Sequence, residues 1–193
     1  MRGAEHDWGD QLETLKGRQV QLRALGEADV PALFEVFSDP RVMRYWSTPA
    51  MTELSQAEDY FEKIQEGFRS RQLFQWGIQF ESRIIGTCTL YHLDHVHRRA
   101  EIGYALGQGF WGKGLGRDAV NAVIAFAFQS LDLHRIEADV DPRNHRSLKL
   151  LEHLGFQKEG CLRERYTVNG EIQDALLLGL LRREWNQDPE ARS

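Results

Sequence analysis

Residues 100–117 read AEIGYALGQGFWGKGLGR, a strand-like run that passes into five glycines in ten residues, Gly107 to Gly116. That density is too high for the interior of a helix or a strand. A long apolar helix follows, from about Arg117 to Ser130. Three phosphate-binding readings compete for the loop. Gly107, Gly112 and Lys113 fit G-x-x-x-x-G-K, but the next residue is Gly114, where a Walker A loop needs the Ser or Thr hydroxyl that binds magnesium. Gly107, Gly109 and Gly112 fit the dinucleotide fingerprint G-x-G-x-x-G, with Asp139 or Asp141 as the ribose-binding acid. That fingerprint opens its helix at once, however, whereas Gly114 and Gly116 prolong the loop, and the strand before it follows a hairpin. The third reading takes Gly112-Lys113-Gly114-Leu115-Gly116-Arg117. Successive backbone N–H groups there curl around a pyrophosphate at the helix N-terminus, and Lys113 and Arg117 add positive charge. A plain glycine-rich turn is the simplest alternative, but it requires fewer glycines.

Outward from this stretch the hydrophobic period supplies the other elements. Upstream, Arg18–Leu25 alternates as a strand, Glu27–Phe37 has helical spacing, and Ser38–Thr52 is an aromatic loop. Thr52–Arg69 is a helix with Tyr60, Phe61, Ile64 and Phe68 as its buried stripe and Thr52 or Ser55 as N-cap. Leu73–Phe80 and Arg83–Leu93 make a hairpin. Downstream come a strand at His134–Val140, a short helix at Ser147–Leu154 closed by Gly155, and strands Phe156–Glu164 and Ile172–Leu181 around Asn169-Gly170. The predicted fold class is α/β: one mixed, mostly antiparallel sheet of about seven strands flanked by about four helices.

The 193 residues fit one domain, with residues 1–16 and 186–193 as loose ends. A composition of 41% hydrophobic and 27% charged residues excludes bulk disorder. No apolar run reaches the roughly 20 residues of a membrane helix, and the N-terminus has no signal-peptide core. Cys88 and Cys161 are too few for a disulfide framework and are expected as reduced core residues of a cytoplasmic protein. A net charge of −5 argues against nucleic acid or an anionic membrane as partner.

AEIGYALGQGFWGKGLGRDAV together with DPRNHRSLKLLEHLGF resembles the acetyl-CoA-binding core of the GNAT N-acetyltransferases. It is nearest to the ribosomal-protein N-terminal acetyltransferases and their relatives, over about Arg18 to Arg182. The resemblance implies a GNAT fold whose cofactor strand splays from its neighbour to leave a cleft. It implies acetyl-CoA as cosubstrate, with the pyrophosphate held by the loop N–H groups from Gly112 through Arg117 and Trp111 as a further cofactor-binding position. Trp111 stands where the family more often has Gln or Arg. The pantetheine arm would bond to the main chain of the strand, Tyr104, Ala105 and Leu106 included, and to Asn144. Many members place a tyrosine acid four residues before the Gly of the L-G-F element. Leu151 stands there, and the resemblance puts Ser147 in that role. A homodimer is common among such proteins. Capping of a helix is the structural alternative for Asn144 and Ser147.

Acetyl transfer to an amine needs the amine neutral, so a base helps near neutral pH. Glu101, opening the cofactor strand, is the candidate, directly or through a water; pairing with Arg98 or Arg99 is the alternative. A strand N–H near Tyr104 or Ala105 is a candidate oxyanion donor. Neither cysteine has an activating partner, so direct attack in a ternary complex is expected. His92, His95 and His97 lack recurrent acidic or Cys partners at ligand spacing, apart from Asp94. They read as an exposed turn or a loop near the acceptor, and no metal is expected. Tyr45, Trp46 and the acidic face of the second helix are candidates for holding a cationic acceptor. The acceptor itself is expected to be a protein or peptide α-amine, with polyamines, antibiotics and aminoacyl conjugates as alternatives. The rivals to the enzyme reading are a nucleotide-dependent oxidoreductase and a non-catalytic CoA-binding domain.

Overall fold

Alternating apolar and polar side chains build the sheet, because each strand must bury one face. The computed structural model describes Gly9 and residues 11–185. It contains one sheet of eight strands: β1 (Leu15–Lys16), β2 (Gln21–Arg23), β3 (Phe74–Phe80), β4 (Arg83–Asp94), β5 (Arg99–Leu106), β6 (Arg135–Val140), β7 (Gln157–Val168) and β8 (Glu171–Leu181), in the order β1-β2-β3-β4-β5-β6-β8-β7. Every neighbouring pair is antiparallel except β5 and β6, which run parallel. The helices are α1 (Val30–Phe37), α2 (Pro40–Met43), α3 (Leu54–Arg69), α4 (Leu115–Gln129) and α5 (His145–His153).

The structure adds an eighth strand and a fifth helix to the sequence reading. β1 falls in the lead-in read as loose: Leu15 is buried, and Trp76 Nε1 donates to the Glu13 carbonyl at 2.7 Å. A two-residue strand is too short for its alternation to register. α2 lies in the segment read as a loop and is started by Asp39, whose carboxylate accepts the Arg41 N–H at 2.9 Å. α3 starts later than Thr52 because the Gln56 side chain reaches back to accept the N–H groups of Thr52 and Glu53. Its fully buried positions are Ala57, Ile64 and Gly67, with Tyr60, Phe61 and Phe68 half-buried. Cys88 is in the core, but Cys161 is exposed on the edge strand β7. The outer parts of both ends, residues 1–8, 10 and 186–193, lie outside the described residues.

Two cores sit on opposite faces of the sheet. α4 buries Val120, Ile124 and Phe128 against Leu90, Ile102, Ile136 and Leu178, with Leu151 of α5 beside them. Each such buried side chain contributes about 1.5–3 kcal/mol. On the other face Leu33, Phe37 and Ile64 of α1 and α3 pack over Ile84 and Ala105. This second layer covers the β3–β5 half. The same face of β6 carries Arg135, Glu137 and Asp139, with Leu177 and Leu181 of β8 beside them.

The sheet is split in the middle. β5 and β6 pair only at Arg99↔Arg135, Ala100↔Ile136 and Glu101↔Glu137. Beyond Glu101, β5 stays with β4 as far as Leu106, while β6 stays with β8 as far as Val140. The two half-sheets diverge there and leave a wedge whose β5 wall has no strand partner.

Candidate active site

At the mouth of the wedge the glycine loop turns into α4. Gly112 and Gly114 have φ +75° and +79°. A Cβ at Gly112 would meet nothing within 4 Å, so the left-handed backbone, not crowding, excludes a side chain there. α4 begins at Leu115, slightly before the expected Arg117. None of the consecutive N–H groups from Gly112 through Arg117 finds an acceptor among the described residues. They form a row of free donors at the positive end of a helix dipole, which suits a pyrophosphate. The loop is anchored from behind. The Asp118 carboxylate accepts the N–H groups of Arg18, Gln19 and Val20 at 2.8, 2.7 and 3.1 Å. A Cβ on Gly17 would stand 2.4 Å from that carboxylate, so the β1–β2 turn closes on it only as glycine.

The loop opens into a groove of about 840 Å³. Tyr104, Ala105, Leu106, Trp111, Gly112, Gly114, Leu115, Gly116, Arg117, Asn144 and Ser147 line it, as do Tyr45 and Trp46 from the segment after α2. Lys113 does not: its ammonium lies over the Phe110 ring, 5.5 Å from the centroid. The positive charge comes instead from Arg41, Arg44, Arg117, Arg143, Arg146 and Lys149, in a chain whose net charge is −5. Arg146 lies 4.3 Å from the Trp111 ring centroid, while Trp111 Nε1 donates to the Leu106 carbonyl at 2.6 Å. Only Arg117 in this basic set was singled out from sequence. Arg143 and Arg146 flank Asn144 in DPRNHRS, a signal that could have found them. Arg41 and Arg44 reach the groove only through tertiary packing. Free N–H donors, arginines and an apolar floor together fit a long polyanionic ligand with an amide-bearing arm, which is the chemistry of coenzyme A.

Along the wedge, the Gly107 N–H bonds to the Ile85 carbonyl of β4 at 2.8 Å. Strand alternation then turns the main-chain groups of Tyr104 and Leu106 into the cleft. Tyr104 Oη lies 2.7 Å from Ser147 Oγ. Asn144 Oδ1 accepts the Ser147 N–H at 3.2 Å, so Asn144 caps α5 while also facing the groove. Burial pushes the Tyr104 phenol above its ordinary range, so it stays protonated beside the Ser147 hydroxyl, and either oxygen can donate to the other. Sequence reading took Tyr104 for its main chain and missed this hydroxyl pair.

Glu101 projects to the opposite face, at the last paired position before the split. Neither Arg98 nor Arg99 pairs with it: Arg98 bonds to Asp132, and Arg99 to Asp94 and Glu137. Its partners are His92, whose Nδ1 is 2.9 Å from Oε1, and the Tyr91 hydroxyl. Burial and the Glu101 charge both push the Tyr91 phenol up. Nearby, Tyr166 donates to Asp139 at 2.8 Å, and burial raises the Asp139 carboxyl despite that bond and Arg165 at 3.7 Å. Glu53, Glu58, Asp59, Glu62 and Glu66 of α3 line no part of the groove. Among the described residues no group of three or more His, Cys, Asp or Glu is placed to hold a metal, and no helix is long and apolar enough to cross a membrane.

The family description "Acetyltransferase (GNAT) domain" matches residues 19–157. An uncharacterized N-acetyltransferase, p20, of Bacillus licheniformis is 40% identical over 178 residues, covering 90% of this chain and 99% of its own. Mycobacterium smegmatis RimJ, solved with CoA-disulfide, superposes with a TM-score of 0.84 at 25% identity, covering 96% of this chain and 93% of its own. The spermidine N-acetyltransferase of Vibrio cholerae, solved with CoA and spermine, gives 0.77 at 25% identity over 86% and 97%. A split sheet with a free-donor loop at its mouth, and sequence matches that run through both, make this chain a member of the GNAT family, an acetyl-CoA-dependent N-acetyltransferase.

Proposed function

We propose that the chain acetylates a single primary amine, by preference the α-amine of a protein or peptide, by direct attack in a ternary complex. The observation that carries the acceptor class is the charge balance of the polar face beside the wedge. Glu137 is tied to Arg99 and Arg135, Glu159 to Arg135, and Asp139 to Tyr166 and Arg165. Among the described residues no Arg or Lys stands within ion-pair distance of Glu101. One cationic amine finds there one carboxylate that no Arg or Lys neutralises, held only by His92 and Tyr91. A polyamine needs more, and Arg44, Arg117, Arg146 and Lys149 of the neighbouring groove, which no carboxylate holds among the described residues, repel a polycation, whereas Arg41 and Arg143 are tied to Asp39 and to Asp141 and Glu171.

Acetyl-CoA, when bound, supplies the activated acyl group as a thioester. The loop N–H groups of Gly112 to Arg117 hold the pyrophosphate, with the arginines of the groove around the phosphates. The cleft-side main chain of Tyr104 and Leu106 takes the pantetheine amides, and the Tyr104 N–H is placed to donate to the oxyanion. Ser147, backed by the Tyr104 hydroxyl, gives the leaving sulfur a proton. Glu101 drives removal of the acceptor's proton from the opposite face of the sheet. Acid and base thus approach the reacting carbonyl from two sides, as attack and departure require. The test is a screen of thiol release from acetyl-CoA over peptides with free N-termini, spermidine and small amines. Turnover highest on peptides supports the proposal; turnover confined to spermidine replaces the acceptor class.

A further inference from the structure

His92 occupies an unusual place for a strand residue. The β4–β5 register breaks between Tyr91 and Asp94, and His92 sits in the break at φ +49°. Such a backbone is strained for any side chain but glycine, with histidine, asparagine and aspartate tolerating it best. The bulge brings the imidazole onto Glu101, Nδ1 to Oε1 at 2.9 Å, with the ring 72% exposed and the carboxylate 25%. The Tyr91 ring stands edge-on at 4.8 Å. Nε2, on the outer side of the ring, has no partner among the described residues.

The groups around the pair are few. Tyr91 bonds to the same carboxylate from β4. Asp139 of β6 and Tyr166 and Arg165 of β7 face Glu101 from behind. Glu137 of β6, beside Glu101, is held by Arg99 and Arg135. In the following turn His97 and Asp94 satisfy each other.

We infer that His92 is the general base of the reaction and that Glu101 is its positioning residue. The inference rests on the acetyl-transfer reading. Glu101 accepts the Nδ1–H bond and so selects the tautomer whose Nε2 lone pair points outward. A neutral imidazole nitrogen is a stronger base than a carboxylate, so it takes a proton from an ammonium more readily. The proton balance closes. Nε2 takes one proton from the ammonium and later loses it to water. The freed nitrogen lone pair forms the C–N bond, and the C–S pair departs with sulfur. The second proton shed as the nitrogen becomes an amide balances the proton the thiolate takes up.

The test uses His92→Asn and His92→Gly, both compatible with the left-handed backbone. Asn also keeps a donor for Glu101. With spermidine and with a free-N-terminus tetrapeptide as acceptors, His92→Asn is expected to lower kcat/KM at pH 7 by about 10²-fold, with KM for acetyl-CoA unchanged. Any acidic limb beyond the acceptor's own should vanish from its pH profile. Added imidazole should restore part of the rate of His92→Gly and none of that of His92→Asn. A His92→Asn enzyme within a factor of about three of wild type at pH 7, where a base contributes far more, overturns the inference and returns proton removal to Glu101 alone. ¹⁵N NMR of the wild-type chain reads the tautomer without any acceptor. Nδ1–H is expected, and Nε2–H overturns the dyad. A wild type that releases no thiol with either acceptor counts against the acetyl-transfer reading for these amines, while the NMR arm still judges the pair.

Discussion

At the residue scale the proposed chemistry draws on the Ser147 hydroxyl on one face of the sheet and the His92–Glu101 pair on the other. Ser147→Ala removes the hydroxyl 2.7 Å from Tyr104 but leaves the Ser147 N–H on Asn144, so α5 stays capped. The proton donor to the departing sulfur acts mainly in the transition state. The expected result is a fall in kcat on the order of 10²-fold with a smaller change in KM for acetyl-CoA, read by steady-state kinetics. A raised KM with kcat intact would make Ser147 a ground-state contact. Glu101→Gln retains an oxygen for His92 but not the charge. At low pH the acceptor is an ammonium that must lose a proton. At high pH it is already neutral. The loss in kcat/KM should therefore be largest near neutral pH and shrink as pH rises. A wild-type-to-mutant ratio constant across pH would mean that Glu101 acts only as a fixed charge.

At the element scale the loop and the start of α4 present one row of free N–H donors around the left-handed residues Gly112 and Gly114, the proposed anion site. Gly114→Val forces a branched side chain to φ +79°, a strain of roughly 1–3 kcal/mol, which the loop relieves by giving up its curl. Acetyl-CoA affinity measured by calorimetry on the folded variant should fall correspondingly. Gly109→Ala is the control, since a Cβ there meets nothing within 4 Å and its φ is not positive. Equal affinity in the two variants would remove the loop from the binding site. Much at this scale was legible in sequence. Asn169-Gly170 adopts the two positive φ values, +51° and +81°, of the turn that the pair signalled. The glycine run, the Asn144 cap and most strand limits could be read too. What escaped was short or irregular: β1, α2 and the bulge at His92. Two- to four-residue elements carry no period, and a bulge shifts the alternation by which strands are recognised.

At the scale of the whole molecule, Asp118 ties the first hairpin to the start of α4 through three charge-assisted bonds across about a hundred residues of chain. Asp118→Ala should destabilise the fold by about 1.5–3 kcal/mol, the range for hydrogen bonds to a charged group. Urea denaturation with an unchanged m-value checks it. The thermal shift on adding acetyl-CoA should shrink as well, because the loop then lacks its anchor. A variant as stable as wild type would show that water replaces the carboxylate at no cost.

The chain alone determined the family, the glycine loop and the class of reaction, because those depend on residue types at fixed local spacing: backbone that only glycine adopts, a cap before a helix, alternation along a strand. It did not determine which charges remain free. Glu101 was paired on paper with Arg98 or Arg99, and the acidic side of α3 was assigned to the acceptor. The folded sheet gives both arginines other partners, keeps the α3 acids out of the lining of the arginine-rich groove, and gathers arginines from α2, α4 and α5 along that groove. Pairing between side chains far apart in sequence follows from strand order and register, and the bulge of β4 at His92 is what gave that carboxylate a histidine instead of an arginine.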